Sequence, residues 1–248
     1  HAAEPLALAQ PISALASHPR RAGTLLAALE GGGLIRSLDG GLTWAEAGSG
    51  LPDTPITTLT MAALEPDMVY AALAGDGLWR SQDGGETWEF VMDRPYLDGA
   101  EHDVHSLVSV ASPTGMGGIW LYAGTRAGLT RVPDCFCRWQ DVTAGDAMDA
   151  LAAGKTPPAA APLPEGQPVT NLALAPETPE RIYAGLASGL WTSSDAGVNW
   201  TLASPGAIGA LAVDPADPHH LVAARKGNLS ISRDGGATWT TTPVLKDS

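Results

Sequence analysis

The chain has 248 residues, 44% hydrophobic and 17% charged, enough to bury a sizeable core in one or two domains. Its formal net charge of −13 repels phosphate backbones and anionic lipid surfaces, which argues against nucleic-acid binding and favours a cationic partner surface. No apolar run of about 18 residues occurs, so no helical membrane span is expected, and two cysteines are too few for a disulfide framework.

Residues 1–11 read as an N-terminal extension. The start His1-Ala2-Ala3-Glu4-Pro5 carries no basic or apolar leader, and its Ala-rich character suits a mature end left by signal cleavage, as it equally suits a cloning boundary. From residue 12 onward five segments share one internal grammar. Each opens on a short apolar-anchored strand: Ile12-Ser13-Ala14-Leu15, Ile56-Thr57-Thr58-Leu59, Val104-His105-Ser106-Leu107, Val169-Thr170-Asn171-Leu172 and Ile208-Gly209-Ala210-Leu211. A Pro- or Asp-bearing turn follows, such as Asp214-Pro215-Ala216-Asp217-Pro218, with His219-His220 read as part of the same turn. A second strand is built of small and apolar residues, as in Val69-Tyr70-Ala71-Ala72 and Ile182-Tyr183-Ala184-Gly185. A glycine turn leads to a third strand. A fourth strand is expected to begin at a tryptophan.

Four short antiparallel strands repeated along a chain are the signature of a β-propeller blade. The expectation is an all-β protein, a five-bladed propeller occupying residues 12–244, with blades over 12–50, 56–93, 104–143, 169–204 and 208–244. An Ala- and Pro-rich insertion at 145–167 breaks the rhythm and reads as an extended loop.

The turn between the third and fourth strands is the most repetitive stretch. It reads Ser37-Leu38-Asp39-Gly40-Gly41-Leu42-Thr43-Trp44, Ser81-Gln82-Asp83-Gly84-Gly85-Glu86-Thr87-Trp88 and Ser232-Arg233-Asp234-Gly235-Gly236-Ala237-Thr238-Trp239. A looser copy ends on Asp195 and Trp200, and a decayed one on Asp134 and Trp139. Asp-Gly-Gly is hairpin chemistry: the glycines supply positive φ and the carboxylate accepts turn N–H groups. The Ser and Thr hydroxyls tie the strand ends locally, and the Trp places a large ring between sheets. These aspartates and tryptophans therefore read as structural.

The pattern Ser-x-Asp-x-Gly-x-Thr-Trp resembles the Asp-box (BNR) repeat of β-propellers. Propellers of this look include sialidases and other glycoside hydrolases, sortilin-type receptors and the photosystem II assembly-factor family. The last is similar in its Gly-Leu-x-Arg-Ser-x-Asp-Gly-Gly-x-Thr-Trp wording, met here from Gly77 to Trp88 and nearly so from Gly33 to Trp44. That resemblance implies a non-catalytic, extracytoplasmic scaffold, periplasmic or secreted, that docks a protein partner or a membrane complex through an arginine-rich patch. Arg36, Arg80 and Arg131 hold one repeat position, which Thr192 and Ile231 interrupt.

In a propeller the first strands line the channel, and the turns between second and third strands ring its mouth. This places His105, with His102 just before it and Arg126, Arg225 and Lys226 in the turns, on one candidate partner-binding face. His102 and His105 beside Glu101 and Asp103 are also metal-ligand types suited to copper or zinc, as is His1. Cys135-Phe136-Cys137 replaces the glycines of the decayed third turn. In an extended strand these cysteines would lie with Cα atoms roughly 6.6 Å apart, so a disulfide needs a tight turn. A disulfide, a soft-metal pair and two packed thiols are all open readings.

A hydrolase reading fits poorly. A sialidase-like site needs a set of arginines, a nucleophilic tyrosine with a carboxylate partner and an acid aspartate. Tyr70, Tyr122 and Tyr183 occupy one core position of the repeat, leaving Tyr96 alone outside it. Other glycosidases need two carboxylates facing each other across a cleft. The loop acids Glu30, Asp76, Asp98, Glu101 and Asp103 show no such pairing in sequence. The sequence points to a binding scaffold, with a metal-binding accessory protein as the rival.

Overall fold

A computed structural model describes residues 10–92, 99, 103–111, 118–136, 138–142, 153–156 and 161–242. The protein is all-β, with five antiparallel sheets of four strands, each laid down in chain order. This is the β-propeller architecture. The chain divides into two compact units, one carrying the first two sheets and the other the last three.

In the first unit, one sheet comprises β1 (Ile12–Ser17), β2 (Leu25–Leu29), β3 (Leu34–Ser37) and β4 (Ala45–Ala47). The other comprises β5 (Ile56–Met61), β6 (Val69–Leu73), β7 (Gly77–Ser81) and β8 (Glu89–Met92). β6 is buried at every position, so its side chains pack on both faces and its two alanines let neighbouring layers approach. Leu26, Ile56, Val69, Ala71 and Trp88 form the core joining the two sheets. The connection between them is strapped down. The N–H groups of Gly48 and Ser49 donate to the carbonyls of Gly85 and Glu86 at 3.0 and 2.8 Å, and the Trp88 N–H donates to the Ser49 carbonyl at 2.9 Å.

The second unit holds β9 (Val104–Val110), β10 (Trp120–Thr125), β11 (Gly128–Pro133) and β12 (Gln140–Asp141). Next come β13 (Asn171–Leu174), β14 (Ile182–Leu186), β15 (Gly189–Ser193) and β16 (Thr201–Pro205). Last are β17 (Ala210–Asp214), β18 (Asp217–Arg225), β19 (Asn228–Ser232) and β20 (Thr240–Thr242). Tyr122 and Tyr183 are fully buried, and each reaches the following sheet: Tyr122 Oη donates to the Ala196 carbonyl and Tyr183 Oη to the Pro218 carbonyl, both at 2.8 Å. These tyrosines are latches between sheets as well as core.

Three expectations need correction. The fourth strands start one residue after each tryptophan, because the Trp backbone still belongs to the turn. β13 starts at Asn171, since the N–H groups of Val169 and Thr170 are spent on Thr125 and Gly185 carbonyls before the ladder begins. His219 and His220 lie within β18 and not in a turn, because that strand runs back to Asp217. Part of the expected loop at 145–167 is also docked. The Trp200 N–H donates to the Ala161 carbonyl at 2.7 Å, Ala161 N–H donates to Asn199 Oδ1 at 2.7 Å, and Leu163 packs on the core beneath.

Candidate functional site

The repeated turn builds the same hydrogen-bonded staple four times. In the second sheet Ser81 Oγ donates to Asp83 Oδ1 at 2.8 Å and accepts the Gly85 N–H at 2.9 Å. Asp83 then accepts the Thr87 N–H at 2.9 Å and the Thr87 hydroxyl at 2.5 Å. Ser37, Asp39 and Thr43 repeat this, as do Ser232, Asp234 and Thr238; Asn199 stands in for the threonine beside Asp195. The Thr43 and Ser37 bonds hold the Asp39 carboxyl at a pKa of about 2, and the Thr238 and Ser232 bonds do so for Asp234. At Asp83 burial pushes the other way, but the bonds from Thr87 and Ser81 prevail and its pKa also falls to about 2. A carboxylate held this low, with both oxygens engaged, is a poor proton donor at neutral pH.

The glycines of the turn also receive the preceding sheet. A Cβ on Gly85, at φ +95°, would stand 2.8 Å from Leu26 Cδ2; one on Gly197, at φ +85°, would stand 3.2 Å from the Tyr122 ring.

The repeat arginines differ in their pairing. Arg36 pairs with Glu86, and Arg80 with Glu89 through Nε at 3.0 Å and Nη2 at 2.5 Å. Val198 occupies the position of Glu86 in the fourth repeat. Arg131 lies over the Trp120 ring at 4.1 Å, its Nη1 donates to Tyr122 Oη at 3.3 Å, and its buried Nε has no partner among the described residues. Sequence reasoning grouped these three arginines; Arg36 finds its partner in the next sheet, whereas Arg80 and Arg131 find theirs on the adjacent strand of their own sheet.

His105, Arg126, Arg225 and Lys226 all fall in the last three sheets. A run of hydrogen bonds crosses one end of the last three sheets: Val169 N–H to the Thr125 carbonyl at 3.0 Å, Thr170 N–H to Gly185 at 3.0 Å, Asn171 Nδ2 to Ile208 at 3.2 Å and Gly209 N–H to Ala224 at 2.8 Å. Arg126 directly follows Thr125 and Arg225 directly follows Ala224, so both flank this seam. Arg126 and Lys226 are exposed. Arg225 lies over the Trp239 ring at 4.7 Å and donates to the Pro205 carbonyl at 2.6 Å. His105 is the second residue of β9 and half-buried. His1, His102, Tyr96, Asp98, Glu101 and Cys137 lie outside the described residues.

Cys135 is disulfide-bonded, so it offers no thiolate to copper or zinc. Among the described residues no cluster of three or more His, Cys, Asp or Glu side chains is arranged to hold a metal. Of the loop acids, Asp76 Oδ2 accepts the Trp79 indole N–H at 3.2 Å. Sequence reasoning did not anticipate a cleft of about 370 Å³ in the first unit, lined by His18, Arg21, Arg36, Met61, Asp67 and Asp83. His18 Nδ1 accepts the Arg20 and Arg21 N–H groups at 3.1 and 2.9 Å; burial and then the Arg21 and Arg20 charges lower its pKa.

The fold is a five-sheet β-propeller, and the chain as a whole is acidic. No protein-family profile matches the chain, and no curated protein sequence is significantly similar to it. Solved structures do resemble it. A GH74 xyloglucanase from Xanthomonas campestris superposes with a TM-score of 0.63 at 21% identity, covering 93% of this chain and 38% of that one. YCF48 bound to D1 peptide gives 0.52 at 15% identity, covering 96% and 69%. The extracellular domain of a hybrid two-component system from B. thetaiotaomicron gives 0.56 at 14%, covering 89% and 27%. This chain thus spans well under half the length of the xyloglucanase. At these identities the likeness concerns the fold alone.

Proposed function

We propose that this chain is an Asp-box propeller acting outside the cytoplasm as a non-catalytic docking scaffold for a protein partner, such as a component of a membrane complex. Its docking face is the end of the last three sheets flanked by Arg126, Arg225 and Lys226. The observation that carries this reading is that those cations directly follow residues of one hydrogen-bonded seam, in a chain whose net charge is −13. Fixed cations on an acidic body select an acidic, extended segment and steer its approach. The YCF48 complex with D1 peptide supports it as an example of a peptide held by this fold. The likeness to a xyloglucanase supplies the enzymatic alternative.

The test uses an acidic, labelled peptide titrated against wild type and an Arg126→Glu/Lys226→Glu variant. Binding that weakens roughly tenfold or more on charge reversal, and that falls with added salt, is the expected result. Equal binding by both proteins removes the proposed face. Release of reducing sugar from xyloglucan by wild type overturns the non-catalytic reading.

A further inference from the structure

The fourth sheet uses both of its faces. Ile182, Ala184 and Trp200 pack back on the third sheet, and Tyr183 and Leu190 pack forward on the fifth. The first sheet packs forward in the same way, with Leu26 and Ala28 against Val69 and Ala71 of the second. These contacts follow the repeat. Leu26 stands opposite Arg36 in its ladder and Tyr122 opposite Arg131, so the two hold one position. Each reaches the second glycine of the next turn, within 2.8 Å of a Cβ on Gly85 for Leu26 and 3.2 Å of one on Gly197 for Tyr122. Arg36 reaches Glu86, the residue after that glycine.

The two end sheets each keep one apolar face in solvent. On the fifth sheet the forward face holds two cross-strand rows, Ala210-Ala224-Leu229 and Ala212-Val222-Ile231. Leu229 is 43% exposed, both β17 alanines are exposed, and Val222, Ala224 and Ile231 are half-buried. On the first sheet the backward face carries the row Leu15-Ala27-Ile35, and Leu15 is 59% exposed. Leu42, in the place that Glu86 takes in the second turn, is 75% exposed. The atoms nearest a Cβ on Gly41 belong to Trp44 and Leu25 of its own sheet, whereas Gly85 and Gly197 meet the preceding sheet.

The residues at these two ends match each other. Where the first sheet sets Arg36 against Glu86 of the second, the fifth offers Ile231 and the first offers Leu42. An ion pair at an inner contact thus becomes an apolar pair at the ends. Val222 fills the ladder position of Tyr122 and Tyr183, so no phenol hydroxyl there needs an acceptor. Apolar side chains left in water on two unlike faces favour burial against each other.

We infer that these faces are the two halves of one contact, and that copies of this chain associate head to tail through them. The forward face of the fifth sheet in one copy seats on the backward face of the first sheet in the next. Ile231 then lies against Leu42 of the next copy, and Val222 against its Gly41 turn, as Leu26 lies against Gly85 inside one chain. A contact between unlike surfaces is heterologous, so it adds copies until the series closes.

The test is sedimentation velocity over a concentration series on wild type, Leu15→Glu and Leu229→Glu. Both leucines are exposed, so neither substitution enters the core, and circular dichroism checks that both variants fold. The mean mass of wild type is expected to rise with concentration. Each variant alone should stay monomeric, having lost one half of the contact. Mixed, they retain one intact half each and should form a dimer and nothing larger. Wild type that stays monomeric throughout the series overturns the inference, and is the result expected if the two faces close on each other within one chain. Association that survives in either variant alone, or a mixture that forms no dimer, overturns it as well.

Discussion

The hydroxyl of Ser81 lies 2.8 Å from Asp83 Oδ1 and 2.9 Å from the Gly85 nitrogen, donating to one and accepting from the other. One buried side chain thereby couples the carboxylate to the glycine turn. Ser81→Ala leaves the Gly85 N–H without its acceptor in a buried position, which costs roughly 1–3 kcal/mol. Thermal unfolding should show that loss; an unchanged midpoint would mean the turn does not depend on the serine.

The two glycines of that turn should respond differently to substitution. Gly84→Ala meets only backbone preference, since a Cβ at φ +73° finds nothing nearer than 3.7 Å, and Ala196 already occupies the equivalent place at φ +54°. Gly85→Ala adds a clash 2.8 Å from Leu26 Cδ2. It should destabilise by about 1–3 kcal/mol, clearly more than Gly84→Ala. Chemical denaturation of the two variants side by side decides this.

Acid should loosen the turns. Asp39, Asp83 and Asp234 have folded pKa values of about 2, below the ordinary 3.8, and Asp195 is lowered too. Groups depressed on folding contribute stability above their unfolded pKa, and that contribution disappears as pH falls through the folded value. Stability is therefore expected to drop between about pH 4 and pH 2. Asp83→Asn should flatten that part of the profile of stability against pH.

The Arg36–Glu86 pair, with Glu86 about half exposed, should contribute little to stability. A double-mutant cycle with Arg36→Ala and Glu86→Ala should give a coupling of about 0–1 kcal/mol that shrinks in salt. A coupling several times larger would make the pair a main clamp between the first two sheets.

Trp88 lies in the core between the first two sheets, whereas Trp44 is only partly buried. Trp88→Ala should cost roughly 3–5 kcal/mol and Trp44→Ala distinctly less. Reversed ranking in calorimetry would contradict the packing described for the first unit.

Much of the fold was legible because its information is local and repeated. The small, apolar run Val69-Tyr70-Ala71-Ala72, the Asp-Gly-Gly turns and the recurring tryptophans each specify a strand or hairpin within a few residues. The fourth-strand starts and β18 were less legible, since a ladder's ends depend on which N–H groups other segments claim first. The candidate face was legible as turn positions only.

Sequence by itself determined a five-fold series of four-stranded sheets, the staple residues of each turn, and the place where the series decays at Cys135-Phe136-Cys137. Tertiary structure decided which equivalent residues are equivalent in fact. Arg36 and Arg80 face glutamates while Arg131 faces an aromatic ring, and four tryptophans find a carbonyl that Trp139 lacks among the described residues. The physical reason is that hydrogen bonds and ion pairs act over a few ångströms. Repeated sequence places the same side chain in each sheet, but its partner comes from whatever neighbouring segment packs within that reach.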